Sequence, residues 1–289
     1  VFGRIYVAQE GINAQMSIPE HNWSLFVDSL NAQELLRGIP FKIAVEDDGK
    51  SFFKLTIKIR KKIVADGLSE RDYDVTNVGR HLNAKQWNEA IDNGATLIDM
   101  RNHYESEIGR FRNAICPEVE TFKEELPIVK DILSGKEDQP ILLYCTGGIR
   151  CEKASAYLKH HGFNDVNQLH GGIIDYVRQI KQDNSIDNKF VGKNFVFDER
   201  RGERISEDVI SSCHQCGEAC DLHTNCKNVN CNLLFLQCEK CKQNHLGCCS
   251  IECIEIAKMP DEKRRKLRQG VENKKIYYSH KKVKLNLKK

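Results

Sequence analysis

The stretch Pro140-Ile141-Leu142-Leu143-Tyr144-Cys145-Thr146-Gly147-Gly148-Ile149-Arg150 decides how this chain folds. An unbroken apolar run of strand length, with no polar alternation, reads as a strand buried on both faces, as in a parallel sheet. It ends at Cys145, and Glu152 to His160 then reads as a helix. In an open parallel sheet, ligands bind beyond the carboxyl ends of the strands, and Cys145 stands at such an end. Two glycines allow successive N–H groups to turn inward and form an anion-binding nest. The helix that follows adds the positive end of its dipole. These donors, with Arg150, favour the thiolate, which is the nucleophilic form of cysteine. A buried free cysteine by itself is common. A cysteine between a buried strand and a Gly-Gly-x-Arg turn into a helix is not. Cys145 is therefore read as a nucleophilic or sulfur-carrying residue, with Thr146, Gly147, Gly148, Ile149 and Arg150 as its loop. It is expected to be open to alkylation ahead of Cys151, which begins the helix face that packs on the sheet.

Working outward, the same pattern repeats. Asn83 to Trp87 begins a helix, and Ala95 to Met100 is a buried strand. Phe122 to Leu133 is helical, Val166 to Leu169 is a short strand, and a further helix starts at Ile173 after Gly171-Gly172. Strands alternating with helices at these lengths mean βαβ units and an α/β domain over residues 78–181. Residues 1–72 read differently. Arg4 to Ala8, Ala14 to Ile18, Phe41 to Val45 and Phe53 to Ile59 are strand-like, and Pro19-Glu20 opens a helix carrying Trp23, Phe26, Val27 and Leu30. Strand–strand–helix–strand–strand suggests a small α+β sandwich of the acylphosphatase or ferredoxin-like kind. The chain opens inside a strand and without Met, so this domain is expected to lack its first pieces. Arg71 to Asn77 reads as a linker, and Phe190 to Phe197 as a strand or hairpin leading into residues 182–289.

Ten of the thirteen cysteines fall between Cys213 and Cys253. With no secretory signal in view, such clustering favours metal over disulfides and a reducing cytoplasm. Cys213-x-x-Cys216 and Cys238-x-x-Cys241 stand 21 residues apart. Thiolates two residues apart reach one ion from a tight turn, and two such knuckles complete a tetrahedral site. Cys220, Cys226, Cys231, Cys248, Cys249 and Cys253 offer ligands for a second ion, with His214, His223 and His245 as alternates. About two structural zinc ions are expected, folding a segment too polar to build its own core; ferredoxin spacings are absent. Net charge divides unevenly. Residues 255–289 carry +9 within a chain of +3, leaving −6 on residues 1–254. That basic tail suits an anionic partner or, equally, a solvated and partly disordered end. No apolar run approaches the roughly 18 residues of a membrane span.

Several of these segments resemble the rhodanese family. Tyr144 to Ala154 is similar to the rhodanese active loop. Leu97-Ile98-Asp99-Met100-Arg101, Tyr104-Glu105, Gly109 and Asn113-Ala114 look like the motif on the preceding strand and loop, with Asp99 and Arg101 as its supporting residues. Arg110 stands where a His is usual, and Gly171-Gly172-Ile173 resembles the third signature. Arginine follows the cysteine after four residues, where related phosphatases use five, so the narrower loop fits sulfur rather than phosphate. Gly3 to Ala14, Asp48 to Phe52, Ile63 to Gly67, Gly192 to Arg200 and Cys213-His214-Gln215-Cys216 extend the likeness to the bacterial rhodanese-like tRNA uridine hydroxylases. That resemblance implies oxygen-dependent hydroxylation of the wobble uridine at carbon five, with Cys145 essential, tRNA as partner and molecular oxygen as co-substrate. His103-Tyr104-Glu105 supplies only half of a non-haem iron triad and overlaps the rhodanese motif. Two other readings compete: a sulfurtransferase carrying a persulfide on Cys145, and a non-catalytic adaptor using the cysteine modules and basic tail. An adaptor needs no thiolate cradle, and a small-molecule sulfurtransferase needs neither the flanking domain nor the tail.

Overall fold

A computed structural model describes residues 1–44, 51–69 and 73–270, and the backbone of 276–277. Contacts divide the chain into two compact units. One comprises Val1–Arg101, Thr121–Asn188 and Val196–Glu203; the other takes Asn102–Glu120, Lys189–Phe195 and the chain from Arg204 onward.

In the first unit, the strand Phe2–Ala8 pairs antiparallel with Gly11–Ser17 and parallel with Leu55–Ile59. The tight turn at Gln9-Glu10 joins the first two. The helix Trp23–Asn31 follows a single 3₁₀ turn. Among the described residues this sheet has three strands, so the expected strand at Phe41–Val45 is corrected. Phe41 to Ala44 adopt no strand, and Val45 lies outside the described residues. The physical reason is the partner Phe41 finds. Its ring packs edge-on against Trp23 at 5.1 Å and lies 6.1 Å from Phe26, so its apolar surface is covered by the helix rather than by strand pairing. Asp48 to Lys50 of the quoted likeness also fall outside the described residues.

The central sheet of this unit runs Arg80–Leu82, Val166–Leu169, Ile141–Tyr144, Thr96–Asp99, with every neighbouring pair parallel. Ile141–Tyr144 and Val166–Leu169 are buried along their full length, as their place in the middle of a covered parallel sheet requires. Helix Ala84–Asp92 starts at Asn83, whose side chain accepts from the Gln86 N–H while Gln86 reaches back to the Asn83 N–H. Thr121 caps Phe122–Ile132. Helix Ile149–His160 begins three residues before the expected Glu152, and Gly172–Gln182 follows the last strand. Trp87, Ile98, Met100, Leu126, Leu143, Tyr144, Ile173 and Tyr176 fill the core.

In the second unit, Gly109–Phe111 pairs antiparallel with Phe190–Asn194. The hairpin His223–Asn225 with Leu233–Leu236 is joined by Ile276–Tyr277, parallel to Leu233–Leu234. Short helices follow at Glu239–Asn244, Ile251–Lys258 and Asp261–Arg268. Their cores are made largely of cysteine: Cys226, Cys248, Cys249 and Cys253 around Leu233 and Phe235, and Cys213, Cys220 and Cys241 apart from them. The basic segment is thus helical as far as Arg268, where disorder was one of the two expectations. No helix among the described residues is long and apolar enough to cross a membrane.

Candidate active site and cysteine tetrads

Cys145 leaves the strand Ile141–Tyr144 at its carboxyl end, and the next three residues wrap around its sulfur. The Gly148 N–H donates to Cys145 Sγ at 3.1 Å. Gly148 is the residue before the helix and has φ of +93°, a left-handed conformation that a Cβ would strain. That turn aims the N–H groups of Arg150 and Cys151 at the same sulfur. The loop's carbonyls are held outward. The Ile173 N–H donates to the Cys145 carbonyl at 3.0 Å and the Ile174 N–H to the Thr146 carbonyl at 3.2 Å, so the N-terminus of Gly172–Gln182 consumes them. Gly172 permits this contact, since a Cβ there would lie 2.6 Å from the Cys145 oxygen.

Burial opposes ionisation of Cys145. It is outweighed by a hydrogen bond from the Cys151 thiol, the positive charge of Arg150 and the N–H groups of Cys151 and Arg150, which bring the Cys145 thiol down to about 5. Burial, and then the neighbouring Cys145 sulfur, push the Cys151 thiol well up. One sulfur is thus anionic at neutral pH and its neighbour is a neutral donor. Arg150 Nη2 lies 3.4 Å from Thr146 Oγ1, and its guanidinium sits 5.9 Å from the centre of the Phe197 ring. The expected open thiol is not what the fold presents: Cys145 is 1% exposed. The Gly171-Gly172 turn packs against the loop, and Lys42 Nζ donates to the Gly147 carbonyl.

Asp99 and Arg101 lie behind the loop. Arg101 donates to both Asp99 carboxylate oxygens, at 2.8 and 2.7 Å, and the Tyr144 hydroxyl donates to Asp99 at 2.7 Å. All three are fully buried. Because Tyr144 immediately precedes Cys145, this fork locks the neighbouring strand end to the one that carries the sulfur.

Sequence reasoning overlooked an ion network, centred on the buried Asp66 and Lys153, that involves the same helix. Lys153 Nζ donates to Glu10 Oε2 at 2.8 Å, to Asp66 Oδ2 at 3.1 Å and to the Val64 carbonyl at 3.2 Å. Lys62 adds a second cation 2.7 Å from Asp66. Burial works against the Asp66 carboxylate, but Lys62, the Leu68 N–H and Lys153 hold it below the ordinary range. Glu10 lies at the N-terminal hairpin turn and Lys153 on the second turn of the cysteine helix, so the hairpin is tied to that helix. Glu10, Asp66, Lys153 and Phe197 all lie inside the motifs quoted above, but their partners are too distant in sequence for spacing to disclose.

In the second unit, two groups of four thiols have all their sulfurs within 4.8 Å of one another: Cys213, Cys216, Cys238 and Cys241, and Cys226, Cys231, Cys249 and Cys253. The cysteines are free. Sγ atoms lie 3.7 Å apart for Cys216 and Cys238, 3.5 Å for Cys231 and Cys249, and 3.8 Å for Cys249 and Cys253. A tetrahedron of sulfurs each about 2.3 Å from a central zinc has edges of about 3.8 Å, so both groups have the right size. N–H groups support the sulfurs: Cys238 N–H donates to Cys213 Sγ and Cys241 N–H to Cys238 Sγ. Along the chain the ligand pairs alternate between groups, so each loop crosses the other. Cys220 and Cys248 stand outside both groups. His214 pairs with Glu107 at 2.6 Å, and the His223 ring packs edge-on against Phe195.

Three family models match this chain: a UPF0176 acylphosphatase-like domain over residues 1–63, a rhodanese-like domain over 83–179 and a rhodanase C-terminal domain over 191–254. Among solved structures, a rhodanese-like domain from Anabaena sp. matches 39% of this chain and 78% of that one, at 19% identity and a TM-score of 0.30. Among curated proteins, a tRNA uridine(34) hydroxylase of Leptospira interrogans is 55% identical over 284 residues, which are 98% of this chain and 77% of that protein. The enzyme of that name from Pectobacterium atrosepticum is 52% identical over 275 residues, 94% of this chain and 77% of that protein. The enzyme from Yersinia pestis is 53% identical over the same shares. At this identity and coverage, the chain belongs to the tRNA uridine(34) hydroxylase family.

Proposed function

We propose that this protein hydroxylates the wobble uridine of tRNA at carbon five in the cytoplasm, with molecular oxygen as co-substrate and Cys145 as its catalytic residue. The observation that carries the reading is the Cys145 thiolate. It is held by Gly148, Arg150 and Cys151 at the carboxyl end of a parallel sheet, in a chain belonging to this family. Thr146, Gly147, Gly148, Ile149 and Arg150 form the cradle, and Asp99 with Arg101 fixes the strand beneath it. A soft anion of this kind adds readily to an electron-poor carbon such as C6 of uracil, which would make C5 electron-rich. The division of labour follows three segments: residues 1–72 and the tail bind tRNA, 78–181 carry the chemistry, and 182–289 are folded by zinc. The two tetrathiolate groups each hold one zinc ion in a closed, structural site.

The test is nucleoside mass spectrometry of tRNA from cells lacking the gene, complemented with wild type or Cys145→Ser. Wild type restores 5-hydroxyuridine-derived nucleosides and Cys145→Ser does not. The sulfurtransferase reading is kept alive by the four-residue loop. It would be favoured instead if the purified protein carries a persulfide on Cys145 and passes it to cyanide while tRNA nucleosides are unchanged.

A further inference from the structure

Inserting one atom of O2 into a C–H bond and reducing the other to water needs two electrons beyond those of the C–H bond itself. We propose that Cys145 and Cys151 are a two-electron couple, and that their oxidation to a disulfide supplies the electrons for hydroxylation. This rests on the hydroxylase reading above and adds a catalytic residue, Cys151, to it.

Three observations converge on the pair. The two sulfurs are in hydrogen-bond contact, the Cys151 thiol donating to Cys145 Sγ. The two residues flank the loop, one just past a strand end and the other in the first turn of the next helix. Both are essentially out of solvent, Cys145 at 1% and Cys151 at 0% exposure. With the Cys151 thiol donating to the Cys145 sulfur, a sulfenic acid formed on Cys145 has a thiol already beside it with which to condense. Cys151 is also suited to the second role: the same contacts that hold Cys145 as thiolate keep Cys151 protonated, so the first nucleophile and the resolving thiol are already distinguished.

The step balances. With Cys145 added at C6, C5 forms a C–O bond to O2; the C5–H bond then breaks as its proton passes to the distal oxygen, and the C6–S bond breaks, leaving a C5 hydroperoxide beside the released Cys145 thiolate. The Cys145 thiolate takes its distal oxygen: an S–O bond forms, the O–O bond breaks, and the C5 oxygen leaves as an anion that takes one proton to become the hydroxyl. Cys145 is then a sulfenic acid. The Cys151 sulfur attacks it: the S–S bond forms, the S–O bond breaks, and the departing hydroxide takes the Cys151 proton as water. Overall, uridine, O2 and two thiols give hydroxyuridine, water and one disulfide. A dithiol reductant then returns the pair to its starting state.

The experiment is a single turnover. Reduced, full-length protein is freed of reductant under argon, mixed with tRNA from cells lacking the gene, and exposed to oxygenated buffer. Hydroxyuridine is counted per protein, and the disulfide is counted as the tryptic peptide ending at Arg150 linked to Cys151–Lys153. The expected result is about one hydroxyuridine and about one Cys145–Cys151 disulfide per chain, no disulfide without tRNA on the same timescale, and further turnover only after dithiothreitol. Cys151→Ser should lose at least tenfold in reductant-free yield and recover in part with excess dithiothreitol, an external thiol then resolving the sulfenic acid. Full product with both thiols free by mass, or full reductant-free yield from Cys151→Ser, overturns the proposal. The wild-type count does not depend on how that variant folds. If wild type makes no hydroxyuridine even with dithiothreitol, the hydroxylase reading fails, and this proposal fails with it.

Discussion

At the scale of single residues, the Cys145 sulfur is governed by a contest that burial loses. An isolated thiol this deep would be neutral, and the Cys151 thiol, the Arg150 charge and the N–H groups of Cys151 and Arg150 invert that outcome. The consequence is a pH dependence with a definite sign. The thiolate persists above about pH 5 and is lost as pH falls through that value. Activity should therefore show an acidic limb near pH 5. Arg150→Met removes the charge next in importance after the Cys151 contact, and should move that limb upward by at least one pH unit. A limb that stays in place would show that Arg150 does not set the charge. Lys153 yields a second prediction. Lys153→Met leaves the buried Asp66 with Lys62 alone and removes the partner of Glu10. It should destabilise the protein by about 2 kcal/mol in urea unfolding, and Asp66→Asn in the same background should recover part of that loss. Because Asp66 is held below its ordinary range, the stability it contributes is present above about pH 4 and is lost as pH falls through its lower folded value. In the Lys153→Met background, by contrast, acid protonates Asp66 and removes its under-compensated charge, so the recovery given by Asp66→Asn should shrink as pH falls.

At the scale of elements, what could be read in advance depended on where each element finds its partners. Ile141–Tyr144 is apolar because both faces are covered, and that is visible in four consecutive side chains, whereas Thr96–Asp99 shows it only in Leu97 and Ile98. The start of the cysteine helix was placed late, because Ile149 and Arg150 enter it through the backbone turn at Gly148 rather than through an apolar stripe. Phe41 looked like a strand residue and instead belongs with Trp23 and Phe26, a choice that only the folded helix offers. Asp261–Arg268 has almost no apolar periodicity, so its helical form was hidden by its charge. The cysteine knuckles were legible from spacing, but the pairing of Cys226 and Cys231 with Cys249 and Cys253 was not, since six cysteines competed for four places. That alternation makes a prediction. With one ion in each group, as proposed, each would close loops that hold the other, so Cys213→Ser, in the first group, should lower zinc by more than one ion per chain and expose Leu233 and Phe235 in the other. Elemental analysis with limited proteolysis would check this. Loss of one ion with an intact second site would show that the groups fold independently.

At the scale of the whole molecule, charge and chemistry occupy different parts of the chain. The thiolate belongs to the unit built on the parallel sheet, while Lys263, Arg264, Arg265, Lys266 and Arg268 lie on the helix that follows the second cysteine group. Removing the chain from Lys263 onward should weaken binding of every tRNA similarly and flatten its salt dependence, since lost phosphate contacts release fewer counterions. Fluorescence anisotropy across a salt series would show it, and an unchanged slope would remove the tail from the binding surface. The long-range ties that matter most, Glu10 with Lys153 and Lys42 with Gly147, join segments more than a hundred residues apart. No local pattern announces them, which is why the sheet and the cysteine loop were legible while the residues bracing the loop were not. The central claim is that the Cys145 thiolate performs uridine hydroxylation. It is tested most directly by incubating purified wild-type and Cys145→Ser protein, in air and under argon, with tRNA from cells lacking the gene, and weighing the position-34 nucleoside. Wild type in air should add the mass of one oxygen atom, while Cys145→Ser in air and wild type under argon should add none; the same gain of oxygen by Cys145→Ser would contradict the account.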